Sequence, residues 1–261
     1  MWTVKTLYSN NRFELLANER GWTVVRPFTT GVCVLGMSPD GQYLLVKEPR
    51  IDEWGRTSLH LNCVKGMIDA NESPRAAAMR ELKEETGIEI QQAELQFLGL
   101  CRPDNGFITS SVSLFRAHLP LDFPQSFKHK VESQVQPLVF DLAKLKNLVA
   151  NGRLNDSVTH SAFLLSSLSP VPVSQTEHQV QLRTTELPAQ IEIQRAILKE
   201  YRQLLSPWHV ACSLNQNQVV AHGWCYAKGS QSYEIQSLYD QTYAIAQRFG
   251  HQLAEFVLTA H

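Results

Sequence analysis

Between residues 58 and 88 the chain changes from strand to loop to helix in one short stretch, and the helix is acidic on one face. Ser58 to Val64 alternates as a strand, and Gly66 to Asn71 has loop composition. Ser73 is a good N-cap and Pro74 suits the first helical position. Ala76, Ala77, Ala78, Met79 and Leu82 favour helix and offer an apolar side, and Gly87 suits the stop. Glu81, Glu84 and Glu85 then fall at i, i+3 and i+4, which share one helical face. Three like charges there repel, and an ordinary surface helix would intersperse lysines. A hard divalent cation such as magnesium, which takes carboxylate oxygens beside substrate phosphates, gives such a face a purpose. The stretch points to metal-assisted phosphate chemistry.

The 261 residues suffice for one large domain or two modest ones. Hydrophobic residues make up 43% and charged residues 19%, so a normal core is expected and disorder is not. A net charge of −1 argues against an electrostatic nucleic-acid binder. The start Met1-Trp2-Thr3-Val4-Lys5 lacks the basic and apolar regions of a signal peptide, and no run approaches the ~20 apolar residues that span a bilayer. The five scattered cysteines, Cys33, Cys63, Cys101, Cys212 and Cys225, fit a reduced cytoplasmic protein.

Short strands are expected at 12–16 and 22–26, a buried strand at 31–37, and a hairpin partner at 42–47 across the Ser38-Pro39-Asp40-Gly41 turn. Beyond the acidic helix, 95–101 and 111–118 read as strands and 131–142 as extended. Residues 142–149 and the stretch up to Leu168 read as helices. The composition of 169–188 is that of a linker. After it, 189–261 reads as a small α+β module: an amphipathic helix around 191–205, a hairpin across Asn215–Gln218, a helix at 238–249 and a terminal apolar segment.

The full pattern is Gly66-x5-Glu72-x7-Arg80-Glu81-Leu82-x-Glu84-Glu85-x-Gly87-Ile88. It resembles, without a departure, the box of the Nudix hydrolases. The resemblance implies an α/β/α sandwich with a mixed sheet over 1–168 and hydrolysis of a diphosphate bond with Mg2+, or Mn2+ in its place. It implies Glu81 and Glu85 as principal metal ligands, and Glu84 as a further ligand or as the group oriented by Arg80. The backbone carbonyl of Lys65 is expected to join the metal shell, with Glu72 in a structural or outer role. Gly66 and Gly87 are expected to serve backbone geometry alone.

Pro103 lies sixteen residues beyond Gly87, in Arg102-Pro103-Asp104-Asn105-Gly106. ADP-ribose pyrophosphatases are similar at that distance. Gly31–Leu35, Tyr43–Lys47 with Arg50, and Val139–Leu142 through Gly152–Asp156 also resemble the flanks of ADP-sugar pyrophosphatases. Those enzymes usually read Glu-Leu-Pro-Ala-Gly into the box, whereas this chain reads Asn62-Cys63-Val64-Lys65-Gly66. The resemblance implies a nucleoside diphosphate sugar, ADP-ribose first, cleaved to a nucleoside monophosphate and a sugar phosphate. Arg50 and Arg56 are candidate diphosphate clamps or solvated loop arginines. Trp54 and Phe107 are candidates for stacking on the base or for packing. Glu132 is the candidate general base.

Two other readings concern the second module. His209-x-x-Cys212 and His222-x-x-Cys225 repeat one spacing and invite zinc, but on strands residues i and i+3 point to opposite faces. A nucleotide-sugar sensor or transcriptional regulator would join a Nudix domain to a DNA-binding or protein-binding module. Against DNA, Arg183, Arg195, Lys199, Arg202, Lys228 and Arg248 face seven Asp/Glu after residue 168. The expected partner is a small-molecule nucleotide, without nucleic acid or membrane, and relatives of this kind are commonly homodimers.

Overall fold

The computed structural model describes residues 4–51, 54–104, 106–127, 134–169, 175–205, 210–227 and 233–260. The chain divides into two compact units, 1–172 and 173–261.

The first unit opens with an antiparallel meander, β1 (Val4–Ser9), β2 (Phe13–Asn18) and β3 (Thr23–Pro27). Every residue of β1 is exposed, and no apolar period marks it in the sequence, so β1 was not anticipated. The main sheet follows: β4 (Gly31–Met37), β5 (Gln42–Ile51), β6 (Thr57–Asn62) and β7 (Val64–Met67). Helix α1 (Pro74–Thr86) comes next, then β8 (Leu95–Cys101), β9 (Val112–His118) and β10 (Gln136–Asp141). Helices α2 (Leu142–Ala150) and α3 (Ser157–Leu168) close the unit. The strand order β10-β5-β4-β9-β8 is antiparallel except where β4 runs parallel to β9.

The sheet forks at its centre. β4 pairs with β5 only at Gly36 and Met37. Val46 and Lys47 pair with β10 on one side and β6 on the other, and β4 residues 31–34 pair with both β9 and β7. Strands β6 and β7 therefore fill the gap between β5 and β4. Alternation along these strands splits the core. Cys33, Leu35, Leu45, Cys63 and Leu114 pack with Leu145, Leu154, Val158 and Ala162 of the α2–α3 region. The interleaved Val32, Val34, Leu44, Val46 and Val64 are also fully or nearly fully buried and face the other way. Helix α1 packs on β7 and β4 and buries Ala77, Ala78 and Leu82. The result is an α/β/α sandwich with a mixed sheet.

The second unit differs from its sequence reading. Within the expected linker lies β11 (Thr176–Thr184), followed by α4 (Ile191–Leu205), β12 (Val210–Asn215), β13 (Gln218–Ala227), α5 (Tyr233–Arg248) and β14 (Leu253–Ala260). The order β12-β13-β11-β14, antiparallel throughout, is the β-α-β-β-α-β arrangement of ferredoxin-like units. Gln216 and Asn217 both have positive φ, as a two-residue hairpin turn requires. Val180, Leu182, Val219, Ala221 and Cys225 pack with Ile197, Leu198, Tyr201 and Leu238, so both helices serve one face of the sheet. His222 is exposed while Cys225 is buried, on opposite faces of β13. His209 lies outside the described residues.

Candidate metal and phosphate site

The acidic helix starts and stops as its residues dictate. Ser73 has extended dihedrals and its hydroxyl accepts from the Ala76 N–H at 3.1 Å. Gly87 takes the left-handed conformation at φ 80°, and its N–H donates to the Lys83 carbonyl at 2.8 Å. These ends fix which side of α1 faces the sheet, and hence where the carboxylates go.

Arg80 is the hub of the outer half of the site. Its Nε and one terminal nitrogen donate to the two Glu72 oxygens, both at 2.9 Å. The other terminal nitrogen donates to Glu81 at 2.8 Å and Glu84 at 3.0 Å. A further bond reaches the Met67 carbonyl at 2.9 Å. These bonds, first to Glu72 and then to Glu81, hold the guanidinium pKa above its ordinary value. Glu72 is correspondingly held below the usual carboxylate range, first by Arg80. Glu72 also accepts from the Asp69 N–H at 3.1 Å, so it fixes the loop between β7 and α1.

Arg80→Lys should therefore cost both stability and activity. An ammonium cannot reproduce the two-pronged hold on Glu72 while also reaching Glu81 and Glu84. Loss of charge-assisted bonds of about 1.5–3 kcal/mol each, partly offset by water, should lower the urea midpoint measurably. A variant as stable as the wild type would show that the loop does not depend on this hub.

The inner half is built from the sheet fork. Glu85 is 5% exposed, its Oε2 has no hydrogen-bond partner, and it receives the backbone N–H of Lys65. Burial first, then the charges of Glu48 and Glu81, push its pKa up to about 8. Glu48, on β5, is also buried. One of its oxygens accepts from Asn62 Nδ2 at 3.0 Å and from Arg50 at 2.7 Å. Strand register makes this possible, because Val46 pairs with Asn62 and Glu48 with His60. Lys65 points to the other face, where its ammonium meets Asp156 at 3.0 Å and Asn62 at 3.3 Å. Asp156 caps α3 by accepting from the Thr159 N–H at 2.7 Å. Burial alone would raise its pKa, but Lys65 and Thr159 together hold it low.

Gly66 does more than shape the backbone. A Cβ there would fall inside the Glu81 carboxylate, so a side chain at 66 would displace Glu81 from its place. The expectation of a purely conformational role is corrected: Gly66 leaves the room in which Glu81 sits.

The structure thus brings together Glu81, Glu84, Glu85, Arg80, the Lys65 peptide and Arg50, and adds Glu48 and Asn62, which the sequence reading did not single out. Arg56 lies in the turn after β5, with its guanidinium 5.1 Å from the Trp54 ring centre. Pro103 lies in the bend after β8, at the end of the sheet where Cys101 aligns with Val112 and Val112 with Gly31. Phe107 is in the next turn, and its carbonyl accepts from the Val25 N–H of β3 at 2.7 Å. Glu132 lies outside the described residues.

Among the described residues no three His, Cys, Asp or Glu side chains form a ready coordinating group. Arg80 accounts for part of this, since it occupies oxygens of Glu72, Glu81 and Glu84. A divalent cation nevertheless fits the donors present. Glu85 leaves a buried carboxylate oxygen orphaned, which a structure tolerates only at a cost of several kcal/mol unless a proton or cation answers it. The donors are all oxygens, the kind magnesium and manganese take.

Residues 27–155 match the family model described as the NUDIX domain, so the first unit carries a Nudix domain. Nudix hydrolases, the enzymes built on this domain, generally work with divalent metal ions. Among solved structures, one described as "Crystal structure of ADP compounds hydrolase" is 23% identical, with a TM-score of 0.47 over 64% of this chain and 92% of that one. No curated protein matches the chain.

Proposed function

We propose that the first unit hydrolyses the diphosphate bond of a nucleoside diphosphate sugar, ADP-ribose or a close analogue, with Mg2+. The products are a nucleoside monophosphate and a sugar phosphate. The observation that carries this reading is the buried, unsatisfied Glu85 carboxylate oxygen within the acidic cluster, beside Arg50. Glu85 and Glu81 would hold the cation, with Glu84 reached once Arg80 loosens its grip and with the Lys65 peptide alongside. When bound, the cation lowers the pKa of water and screens phosphoryl oxygens.

The chain's own groups have distinct tasks. Arg80 holds Glu81 and Glu84 in place and keeps the acidic face from repelling itself. Arg50 is half-exposed and tethered by Glu48, and it is the candidate clamp for phosphate oxygens. Glu132 remains the proposed base for the attacking water, and Arg56 and Pro103 the proposed further substrate contacts.

The test is a panel with Mg2+: ADP-ribose, ADP-glucose, GDP-mannose, NADH, dinucleoside polyphosphates and nucleoside triphosphates. Turnover of ADP-ribose well above the triphosphates is expected. Preferred cleavage of a triphosphate would overturn the substrate class. Binding without turnover of any member would favour a sensor that the second unit serves.

A further inference from the structure

The carboxylates of this site are not equally committed. Glu72, Glu81 and Glu84 share Arg80, so much of their charge is already answered. Glu48 pairs with Arg50, whose charge also bears on Glu85, but neither carboxylate is held by Arg80. Glu85 is a buried side chain with an orphaned Oε2. Glu48 gives Oε1 to both Asn62 and Arg50, while its Oε2 accepts no hydrogen bond among the described residues. One carboxylate comes from α1 and the other from β5, and both lie on the side of the fork that α1 covers. Each is fixed by bonds to one oxygen only, the Lys65 N–H for Glu85 and Asn62 for Glu48. The second oxygen of each is spare.

We propose that Glu48, a strand residue outside the acidic helix, gives its Oε2 to the divalent cation opposite Glu85, so that the principal cation seat is shared between β5 and α1. This rests on the metal-dependent reading above and deepens it. Glu48 and Glu85 repel one another and Arg50 offsets only part of that repulsion, so a divalent cation taking the spare oxygen of each would remove the rest. Asn62 has a definite place in this arrangement. Its amide donates to Glu48 while its carbonyl accepts from Lys65, so it orients Glu48 without neutralising it. The same Glu48 oxygen tethers Arg50, which puts the phosphate clamp one side chain away from the cation.

The experiment measures Mn2+ binding by the full chain, from the electron paramagnetic resonance of free Mn2+, and melting temperature with Mn2+ and with chelator. Glu48→Gln keeps the acceptor for Asn62 and Arg50 and removes the charge. Mn2+ affinity should fall on the order of tenfold or more. The chelated variant should melt no lower than wild type, and the rise in melting temperature that Mn2+ gives the wild type should shrink. Glu48→Asp, which restores the charge on a shorter stem, should recover part of the affinity. Wild-type Mn2+ affinity in Glu48→Gln overturns the assignment. So does a lower melting temperature in chelator for both variants with equal loss of affinity, because that pattern belongs to a structural role. Mn2+ binding without turnover by the wild type would instead overturn the hydrolase reading and leave the Glu48 assignment standing.

Discussion

Glu85→Gln is expected to abolish turnover while leaving the protein folded, and to make it more stable than the wild type at pH 8 and above without metal. Turnover should fall by a factor on the order of 10³, since a catalytic cation supplies several kcal/mol and each ~1.4 kcal/mol is tenfold in rate. The stability gain has a separate cause. Glu85 is buried beside Glu48 and Glu81, and an amide of the same shape cannot ionise there. Steady-state kinetics and a urea titration at pH 8 with chelator check both halves. Undiminished activity would refute Glu85 as a metal ligand. A destabilised variant would mean that the carboxylate is satisfied in a way that the present geometry does not contain.

Metal-free wild-type protein should lose stability as pH rises from 7 to 8, and Mg2+ should abolish that loss. In the folded protein Glu85 has a pKa raised to about 8 from 4.5. Between those values the folded state holds a proton that the unfolded state has released. Stability therefore falls with rising pH, by at most ~1.4 kcal/mol per unit. His118 and His251 have pKa values lowered by burial, so their contributions have the opposite sign and lie below pH 6.5. The low-lying carboxyls Glu72 and Asp156 matter only at more acid pH. The window from 7 to 8 isolates Glu85. A cation replaces the proton, so apparent Mg2+ affinity should tighten across the same window. Urea midpoints at pH 7 and 8, with Mg2+ or with chelator, make the comparison. A flat metal-free profile would mean that Glu85 is ionised well below neutrality.

How much of this was legible beforehand follows from how local each feature is. Ser73, Pro74 and Gly87 declare the helix ends because capping depends on residues within a turn. Glu81, Glu84 and Glu85 declare a shared face through helical periodicity alone. Glu48 and Asn62 do not, because they meet through the pairing of β5 with β6, and a polar residue in a strand carries no mark of its partner. Lys65 illustrates the same limit. Its place before Gly66 draws attention to its carbonyl, while its side chain reaches Asp156 across the sheet. Gly66 looked conformational because crowding between β7 and α1 is a tertiary fact. In the second unit, the Pro and Ser residues before Thr176 suggested a linker, and they outweighed the alternation of His178, Val180 and Leu182 that builds β11.

That strand has a consequence for the order in which the chain is made. β11 is synthesised before every other element of its unit, yet it ends up inside the sheet, between β13 and β14. Until those strands emerge, both of its edges are open to any other extended chain, the situation in which nascent proteins aggregate. Its outward positions carry Gln179, Gln181 and Arg183, so half of the waiting strand is polar. Those polar positions keep the strand from pairing with a stray partner while it waits for its own neighbours.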